Sequence, residues 1–277
     1  KTTNMYKVGV IGAGQMGYSI AEYILKKGHF TIIKTRSEKQ KILSKFETRL
    51  SKDHTREQMN EIMEKLTVTL DYFEMKDCDI IIEAVPEDVD TKKAVFKEIS
   101  KYSDKETVFA TNTSSISIDE IGESTDRPDK VIGMHFFNPV SRMDLVEVVG
   151  GEKTSDDSQK WVLNFSQELQ KIPIVVKNSS GFIVNRLLLP QINEAVLMLE
   201  EEIAKKEDID KAMKLGLNHP MGPFQLADFI GLDICLSILE TIYNNLGDEK
   251  YKPTKTLVEK VESGKLGFKS GEGFYKY

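Results

Sequence analysis

The chain has 277 residues and a formal net charge of −6, and 40% of its residues are hydrophobic against 30% charged. This length fits one large domain or two modest ones, and the apolar fraction can fill a core, which argues against a disordered chain. No apolar run approaches the roughly 20 residues of a membrane helix, and an acidic chain is poorly suited to nucleic acid. The two cysteines, Cys78 and Cys235, lie far apart without metal-ligand spacing, so we expect reduced thiols, no metal site and a cytoplasmic protein.

From Met5 to about Lys177, short β-branched runs alternate with helical patterns. Several of these runs are apolar on both faces, which is typical of parallel strands covered by helices on both sides. The predicted strands are 7–11, 30–33, 66–70, 79–82, 108–110, 131–134, 145–149 and 174–176. We therefore expect an α/β fold with a doubly wound, Rossmann-type parallel sheet, in which ligands bind at the carboxyl ends of the strands.

After Gly181 the strand pattern stops, and the rest of the chain is predicted to be all helical. The predicted helices are 182–204, 206–215, 224–246 and 254–263, with Gly216 ending the second of them. We expect two domains, a Rossmann domain at 1–180 and an all-helical domain at 181–277. The helix at 224–246 carries more apolar surface than so small a domain hides, so part of it is expected to meet the first domain or a second copy of the chain.

A GxGxxG motif directly follows the first predicted strand and opens a helix, with its glycines at Gly12, Gly14 and Gly17. In this context Gly12 permits a tight turn, Gly14 lets the backbone approach a pyrophosphate, and Gly17 allows close helix–strand packing. The N-terminus of the helix predicted at 18–27 would offer main-chain N–H groups to the phosphates, and Gln15 and Met16 of the motif are expected to bind the cofactor too. The alternative is a glycine turn in an α/β fold that binds no ligand.

The second predicted strand ends in Lys34, Thr35, Arg36 and Ser37, with no carboxylate before Glu38. A site for NAD usually has Asp or Glu here, which accepts hydrogen bonds from the ribose 2′-hydroxyl. Guanidinium, hydroxyl and ammonium groups instead suit a 2′-phosphate. The sequence therefore favours NADP(H) over NAD(H), with Thr35 and Arg36 as binding residues, and the alternative is a basic loop in contact with solvent only.

Four polar residues follow predicted strands or lie where the two domains join: Ser114, His135, Glu147 and Asn185. Taken singly, a serine after a strand often caps a helix, and a lone histidine or asparagine often only satisfies backbone groups. Glu147 differs, because a carboxylate among Leu and Val residues needs a partner if it is buried. His135 is available at the same edge of the sheet, and a glutamate beside a histidine orients and charges the imidazole.

Several motifs occur in order along nearly the whole chain, at 12–17, 83–87, 112–115, 134–139, 181–186, 209–215, 219–223 with 228–233, and 271–275. Together they resemble the L-3-hydroxyacyl-CoA dehydrogenases, and within that family they resemble the short-chain bacterial 3-hydroxybutyryl-CoA dehydrogenases most closely. The resemblance implies an oxidoreductase that interconverts acetoacetyl-CoA and (S)-3-hydroxybutyryl-CoA by hydride transfer with a nicotinamide cofactor. It also implies a homodimer that pairs through the helical domains.

The resemblance implies that His135 is the general acid/base and Glu147 its orienting partner. Ser114 and Asn185 would hydrogen-bond the 3-oxygen of the substrate. The chemistry fits these residue types, because reduction of a 3-keto group needs a proton, which an imidazolium supplies, and neutral donors that stabilise the developing alkoxide.

For the cofactor, the resemblance implies that Glu87 and Lys92 contact the nicotinamide half and that Lys269 lies near the phosphates. The stretch after Lys52 departs from the family, because a lysine-rich helical hairpin that contacts the CoA nucleotide looks shortened here. Lys52 and Arg56 remain candidates for the CoA phosphates, and the alternative is that both are solvated charges on a helix.

Two other functions stay open at this point. A β-hydroxyacid dehydrogenase acting on free acids typically has a catalytic lysine on the interdomain helix, where this chain has Asn185. A non-catalytic Rossmann dimer with a binding role has no need of the four polar residues described above. One assay separates these functions, namely cofactor consumption with acetoacetyl-CoA, with a free 3-keto acid, and with neither.

Overall fold

The computed structural model describes residues 4–36 and 38–277, so Ser37 of the predicted 2′-phosphate group lies outside the described residues. The chain divides into two compact units, the first ending at Ser179 and the second spanning Ser180–Tyr277. Over the described residues, no helix combines the length and apolar character needed to cross a membrane. In the same part of the chain, no group of three or more His, Cys, Asp or Glu side chains could hold a metal ion.

The first unit contains an eight-stranded sheet in the order β3-β2-β1-β4-β5-β6-β7-β8. All neighbouring strands are parallel except β6 and β7, which are antiparallel. The strands are β1 (Lys7–Ile11), β2 (Phe30–Lys34), β3 (Leu66–Thr69), β4 (Ile80–Glu83), β5 (Val108–Thr111), β6 (Val131–Phe136), β7 (Leu145–Gly150) and β8 (Ile172–Lys177). The predicted doubly wound fold is confirmed, and each predicted strand is present within two residues of its expected bounds.

Helices with one apolar stripe cover the sheet. In α1, for example, Ile20, Ile24 and Leu25 recur at helical spacing and are fully buried against the strands. The helices of this unit are α1 (Gln15–Lys26), α2 (Lys39–Leu50), α3 (Arg56–Met63), α4 (Val89–Ser100), α5 (Ile118–Gly122) and α6 (Asp156–Glu168).

The strand order reverses between β1 and β4, because β1 pairs with β2 on one side and with β4 on the other. In an open α/β sheet the crevice at such a reversal, outside the carboxyl ends of the strands, is the usual ligand site. The loops that follow β1, β4, β5 and β6 all leave the same edge of the sheet, because these four strands are parallel.

The second unit is all helical, as predicted, but three of its four expected helices have different bounds. The helix expected at 182–204 begins at Val184 and ends at Glu200, shortly before Glu202, which has a φ of 56°. The helix expected at 224–246 is two helices, because Gly231 adopts a φ of 105°, a left-handed conformation that a helix interior does not allow. The helix expected to end at Gly216 continues to Leu217, so this glycine lies inside it. The helices are α7 (Val184–Glu200), α8 (Lys206–Leu217), α9 (Pro223–Ile230), α10 (Leu232–Leu246) and α11 (Lys255–Glu262).

The C-terminal segment packs on a buried carboxylate of this unit. Asp228 accepts hydrogen bonds from the main-chain N–H groups of Phe274 and Tyr275 and from the Tyr277 hydroxyl, at 2.8, 3.0 and 2.8 Å. A Cβ at Gly273 would lie 2.1 Å from the same carboxylate. Two of the motifs that carry the family resemblance therefore have a structural role. The motifs at 228–233 and 271–275 hydrogen-bond to each other and hold the C-terminal segment on the helical unit.

Candidate active site

The three glycines of the GxGxxG motif differ in what surrounds them. Gly12 has a φ of 107°, and a Cβ there would lie 2.7 Å from the carbonyl oxygen of Ala84. A Cβ at Gly17 would lie 1.9 Å from the Gly12 carbonyl oxygen, so both glycines are required by the protein itself. A Cβ at Gly14 would meet no atom of the described residues within 4 Å. The described part of the fold therefore does not demand glycine at that position, which fits a backbone that a ligand approaches closely.

The N-terminus of α1 is suited to a phosphate. No side chain caps this helix end, and its first turn contains no acidic residue. The main-chain N–H groups at Gln15 and Met16 belong to the first turn, where the helix dipole is positive. Together with Gly14, this arrangement fits the pyrophosphate of a dinucleotide.

The contrast between Gly14 and Gly17 gives a testable prediction. In Gly14→Ala we expect an unchanged melting temperature but cofactor affinity weaker by about tenfold or more, because the added methyl occupies ligand space. In Gly17→Ala we expect a loss of about 1–3 kcal/mol of stability, although alanine favours helix, because the methyl meets backbone. Thermal unfolding and cofactor titration of both variants check this, and a Gly14→Ala protein that binds normally would contradict the ligand assignment.

The side chains at the end of β2 differ in their exposure to solvent. The Lys34 ammonium lies 4.4 Å from the centre of the Tyr72 ring and is buried, and this burial, with the nearby Arg36, lowers its pKa. Thr35 is buried, whereas the Arg36 side chain is exposed. Of the basic residues predicted to meet a 2′-phosphate, Arg36 is therefore open to solvent, whereas the Lys34 ammonium lies against an aromatic ring.

His135 and Glu147 face each other across the antiparallel pair β6–β7. The Nδ1 atom of His135 lies 2.8 Å from Oε1 of Glu147, and both side chains are buried. The glutamate lies between the fully buried Val146 and Val148, so the imidazole supplies the partner that its charge needs. A carboxylate at Nδ1 orients the ring, and an imidazole held in this way can exchange a proton through its other nitrogen, Nε2.

An asparagine that we did not single out joins the end of β5 to the strand of the histidine. Oδ1 of Asn112 accepts a hydrogen bond from the main-chain N–H of Phe136 at 2.8 Å, one residue after His135. This contact fixes the spacing of the two strand ends on which the candidate catalytic groups lie. Asn112 could have been identified from the sequence, because it lies in the Asn112–Ser115 motif directly after a buried strand.

Glu87 accepts hydrogen bonds from the polar residues that follow β5. Its carboxylate accepts hydrogen bonds from the N–H and the hydroxyl of Ser114, both at 2.8 Å, and from the Thr113 hydroxyl at 2.8 Å. Burial raises the pKa of Glu87, but the Lys92 ammonium and these hydrogen bonds outweigh it, so the pKa lies below its ordinary value. An ionised Glu87 only accepts, and the Ser114 hydroxyl must therefore leave it before donating to a substrate oxygen.

The remaining predicted site residues belong to other elements of the chain. Asn185 is the second residue of α7 and Lys269 forms an ion pair with Asp233 at 2.6 Å, both within the helical unit. Lys52 is exposed in the turn between α2 and α3, and so is Arg56 at the start of α3. At the carboxyl edge of the sheet, the structure brings together Ser114 with Glu87 and Lys92, and His135 with Glu147, beside the glycine loop.

Comparison with known proteins covers both units. The 3-hydroxyacyl-CoA dehydrogenase NAD-binding domain matches residues 7–179, and the C-terminal domain of the same family matches residues 181–277. The chain is 45% identical to a 3-hydroxybutyryl-CoA dehydrogenase of Clostridioides difficile over 98% of this chain and 99% of that protein. It is 37% identical to the human mitochondrial hydroxyacyl-coenzyme A dehydrogenase over 98% of this chain and 90% of that protein.

Among solved structures, an (S)-3-hydroxybutyryl-CoA dehydrogenase from Ralstonia eutropha superimposes with a TM-score of 0.92 at 40% identity. The match covers 99% of each chain. Fold, nucleotide loop and both matched domains agree, and the chain belongs to the 3-hydroxyacyl-CoA dehydrogenase family.

Proposed function

We propose that this protein is a nicotinamide-dependent dehydrogenase that interconverts acetoacetyl-CoA and (S)-3-hydroxybutyryl-CoA. The observation that carries the proposal is the buried pair of His135 and Glu147, 2.8 Å apart, at the sheet edge that also holds the glycine loop. The proteins from C. difficile and R. eutropha described above support the substrate, since both are 3-hydroxybutyryl-CoA dehydrogenases.

In the direction of reduction, the bound cofactor supplies a hydride to C3 of the 3-keto thioester. Nε2 of the His135 imidazolium delivers a proton to the 3-oxygen, and Glu147 keeps the ring charged and in place until that transfer. In the reverse direction the neutral imidazole removes the proton from the 3-hydroxyl. Because the pair is buried, little water competes for this proton.

Other residues of the proposed site bind and orient. Ser114 and Asn185 would hydrogen-bond the 3-oxygen, which stabilises the charge that develops there. On the cofactor side, Glu87 and Lys92 would contact the nicotinamide half, and Lys269 would lie near the phosphates. For the CoA nucleotide we propose Lys52, an exposed cation.

The test is cofactor consumption with acetoacetyl-CoA, with free acetoacetate, and with neither. We expect turnover with the thioester only. Equal turnover with the free acid would support the β-hydroxyacid dehydrogenase alternative, and binding of cofactor without any turnover would support a non-catalytic role.

We also propose that NADP(H) is the preferred cofactor, with Arg36 and Thr35 at the 2′-phosphate. Support comes from the exposed guanidinium directly after β2 and from the absence of a carboxylate at positions 34–36. We expect kcat/KM to be higher with NADPH than with NADH, and Arg36→Asp to lower the NADPH value by about 10- to 100-fold, as expected for a lost charge-assisted hydrogen bond.

A matched control for this prediction is Lys41→Asp. It makes the same change in charge at an exposed α2 residue whose ammonium lies 3.9 Å from Glu38. We expect little change of preference in this variant. A wild-type protein that clearly prefers NADH would refute the 2′-phosphate assignment.

Finally, we propose a homodimer that acts in the cytoplasm. The helical unit exposes large apolar side chains, among them Leu187, Leu215 and Leu217, at 72%, 77% and 61% exposure. Such surface is typical of an interface. Sedimentation that shows only a 31.4 kDa species at micromolar concentration would contradict the dimer.

Two buried, unpaired cysteines support the proposed location in the cytoplasm, which is a reducing compartment, and cell fractionation tests this location.

A further inference from the structure

A fully buried carboxylate with no part in the proposed chemistry lies at the carboxyl edge of the sheet. Glu83 is the last residue of β4. Its Oε2 accepts hydrogen bonds from Lys92 Nζ at 2.5 Å and from the Val85 N–H at 2.8 Å. Its Oε1 accepts one from the Thr111 hydroxyl at 2.6 Å. Burying a charge is costly, and here a counter-charge and hydrogen bonds to both oxygens compensate it.

Lys92 connects this carboxylate to the candidate active site. Its side chain is 2% exposed, and its ammonium lies between two carboxylates, 2.5 Å from Glu83 and 3.5 Å from Glu87. The Glu87 carboxylate in turn accepts the N–H and hydroxyl of Ser114. Charge-assisted contacts therefore run without interruption from the end of β4 to the serine that follows β5.

We propose that Glu83 is a positioning residue for the cofactor. By holding the Lys92 ammonium, it keeps this lysine from closing on Glu87, and so fixes Glu87 in the geometry that receives the nicotinamide half. Two carboxylates share one ammonium in this cluster. Without the charge of Glu83, Glu87 is the one carboxylate within ion-pair distance of Lys92 among residues 4–36 and 38–277, and the two draw together at the expense of the bonds to Ser114. This inference rests on the proposed function, because it takes Glu87 and Lys92 as nicotinamide-binding residues.

Glu83→Gln tests the proposal, because the amide keeps the shape and removes the charge. The readouts are the dissociation constants of the preferred reduced cofactor and of its ADP-ribose fragment, which lacks the nicotinamide. We expect cofactor binding to weaken by about 10- to 100-fold and binding of the fragment to stay unchanged. A role in folding alone would weaken both ligands together.

A second variant covers the case in which the glutamine protein does not fold. Glu83→Asp keeps the charge but withdraws the carboxylate by one methylene from Lys92 and Thr111. A positioning role predicts weaker cofactor binding with an intact fragment affinity, whereas a role in charge balance alone predicts normal binding. Glu22→Gln is the matched control, since this carboxylate pairs with Lys26 at 3.0 Å and Arg49 at 2.8 Å in the same unit.

The proposal is overturned if Glu83→Asp binds the cofactor as the wild type does, or if cofactor and fragment weaken equally in both Glu83 variants. Failure of the proposed function is distinguishable from this. It would appear as a wild-type protein that binds cofactor but does not consume it with acetoacetyl-CoA, and the two dissociation constants would still decide the role of Glu83.

Discussion

Replacing His135 by glutamine is expected to lower kcat for acetoacetyl-CoA reduction by about 10²–10⁴-fold, the usual contribution of a positioned acid or base. Glutamine can still hydrogen-bond Glu147 and fill much of the space of the ring, but it has no proton to deliver at pH 7. The affinity for the reduced cofactor should stay unchanged, because the histidine does not belong to the glycine loop. Steady-state kinetics and a cofactor titration on the same preparation provide the measurement.

His29→Gln is the matched control for this variant. His29 is also buried, accepts a hydrogen bond from the Tyr6 N–H at 3.1 Å, and directly precedes β2, at the opposite edge of the sheet. This variant is expected to lose some stability but to keep kcat. Near-normal turnover in His135→Gln would refute the acid/base assignment.

Replacing Glu147 by glutamine is the second large effect that we expect, with kcat lower by about 10²–10⁴-fold, the range seen when a carboxylate beside a catalytic histidine becomes an amide. The amide fits the space but no longer stabilises the imidazolium, and its NH₂ group can hold the ring in the wrong tautomer. Steady-state kinetics of acetoacetyl-CoA reduction, measured beside the wild type, check this.

Glu152→Gln serves as the comparison for Glu147→Gln, since it removes the same charge from an exposed residue two positions after the end of β7. It should leave the rate unchanged. If Glu147→Gln turned over acetoacetyl-CoA at a near-normal rate, or no more slowly than Glu152→Gln, the role of Glu147 as the partner of His135 would be wrong.

The sheet could be predicted from the sequence because its signals are local. Strands such as β1 and β4 are short apolar runs between helical patterns, and burial on both faces makes each run recognisable by itself. The break between α9 and α10 has no comparable local signal in the sequence. Gly231 lies in a continuous apolar helical pattern. Its left-handed turn lies against Lys269, which is 38 residues later in the chain, and a Cβ added to Gly231 would lie 2.9 Å from that ammonium. A short stretch of sequence around the glycine does not include this lysine, so the contact could not be predicted from it.

The same distinction applies to the site. Glu147 could be paired with His135 in advance, because a carboxylate within an apolar strand needs a partner and a histidine directly follows the preceding predicted strand. Glu83 gave no comparable signal, because a charged residue at the end of a strand looks like the start of a loop. Its contacts with Lys92 and Thr111 come from two other elements, and only the order of β4 and β5 in the sheet brings them together.

The antiparallel pairing of β6 and β7 also determines which changes of chain length the enzyme tolerates. His135 and Glu147 are opposite each other in register and are only twelve positions apart, so the connection 137–144 closes the pair as a hairpin. Side chains alternate between the faces of a strand. One residue inserted between His135 and the end of β6, or between the start of β7 and Glu147, therefore shifts the register and turns one member of the pair to the other face. An insertion within the exposed stretch 141–144 leaves the register intact. Length variation among functional versions of this chain is therefore expected in the hairpin loop and not in the strand residues that join the pair to it.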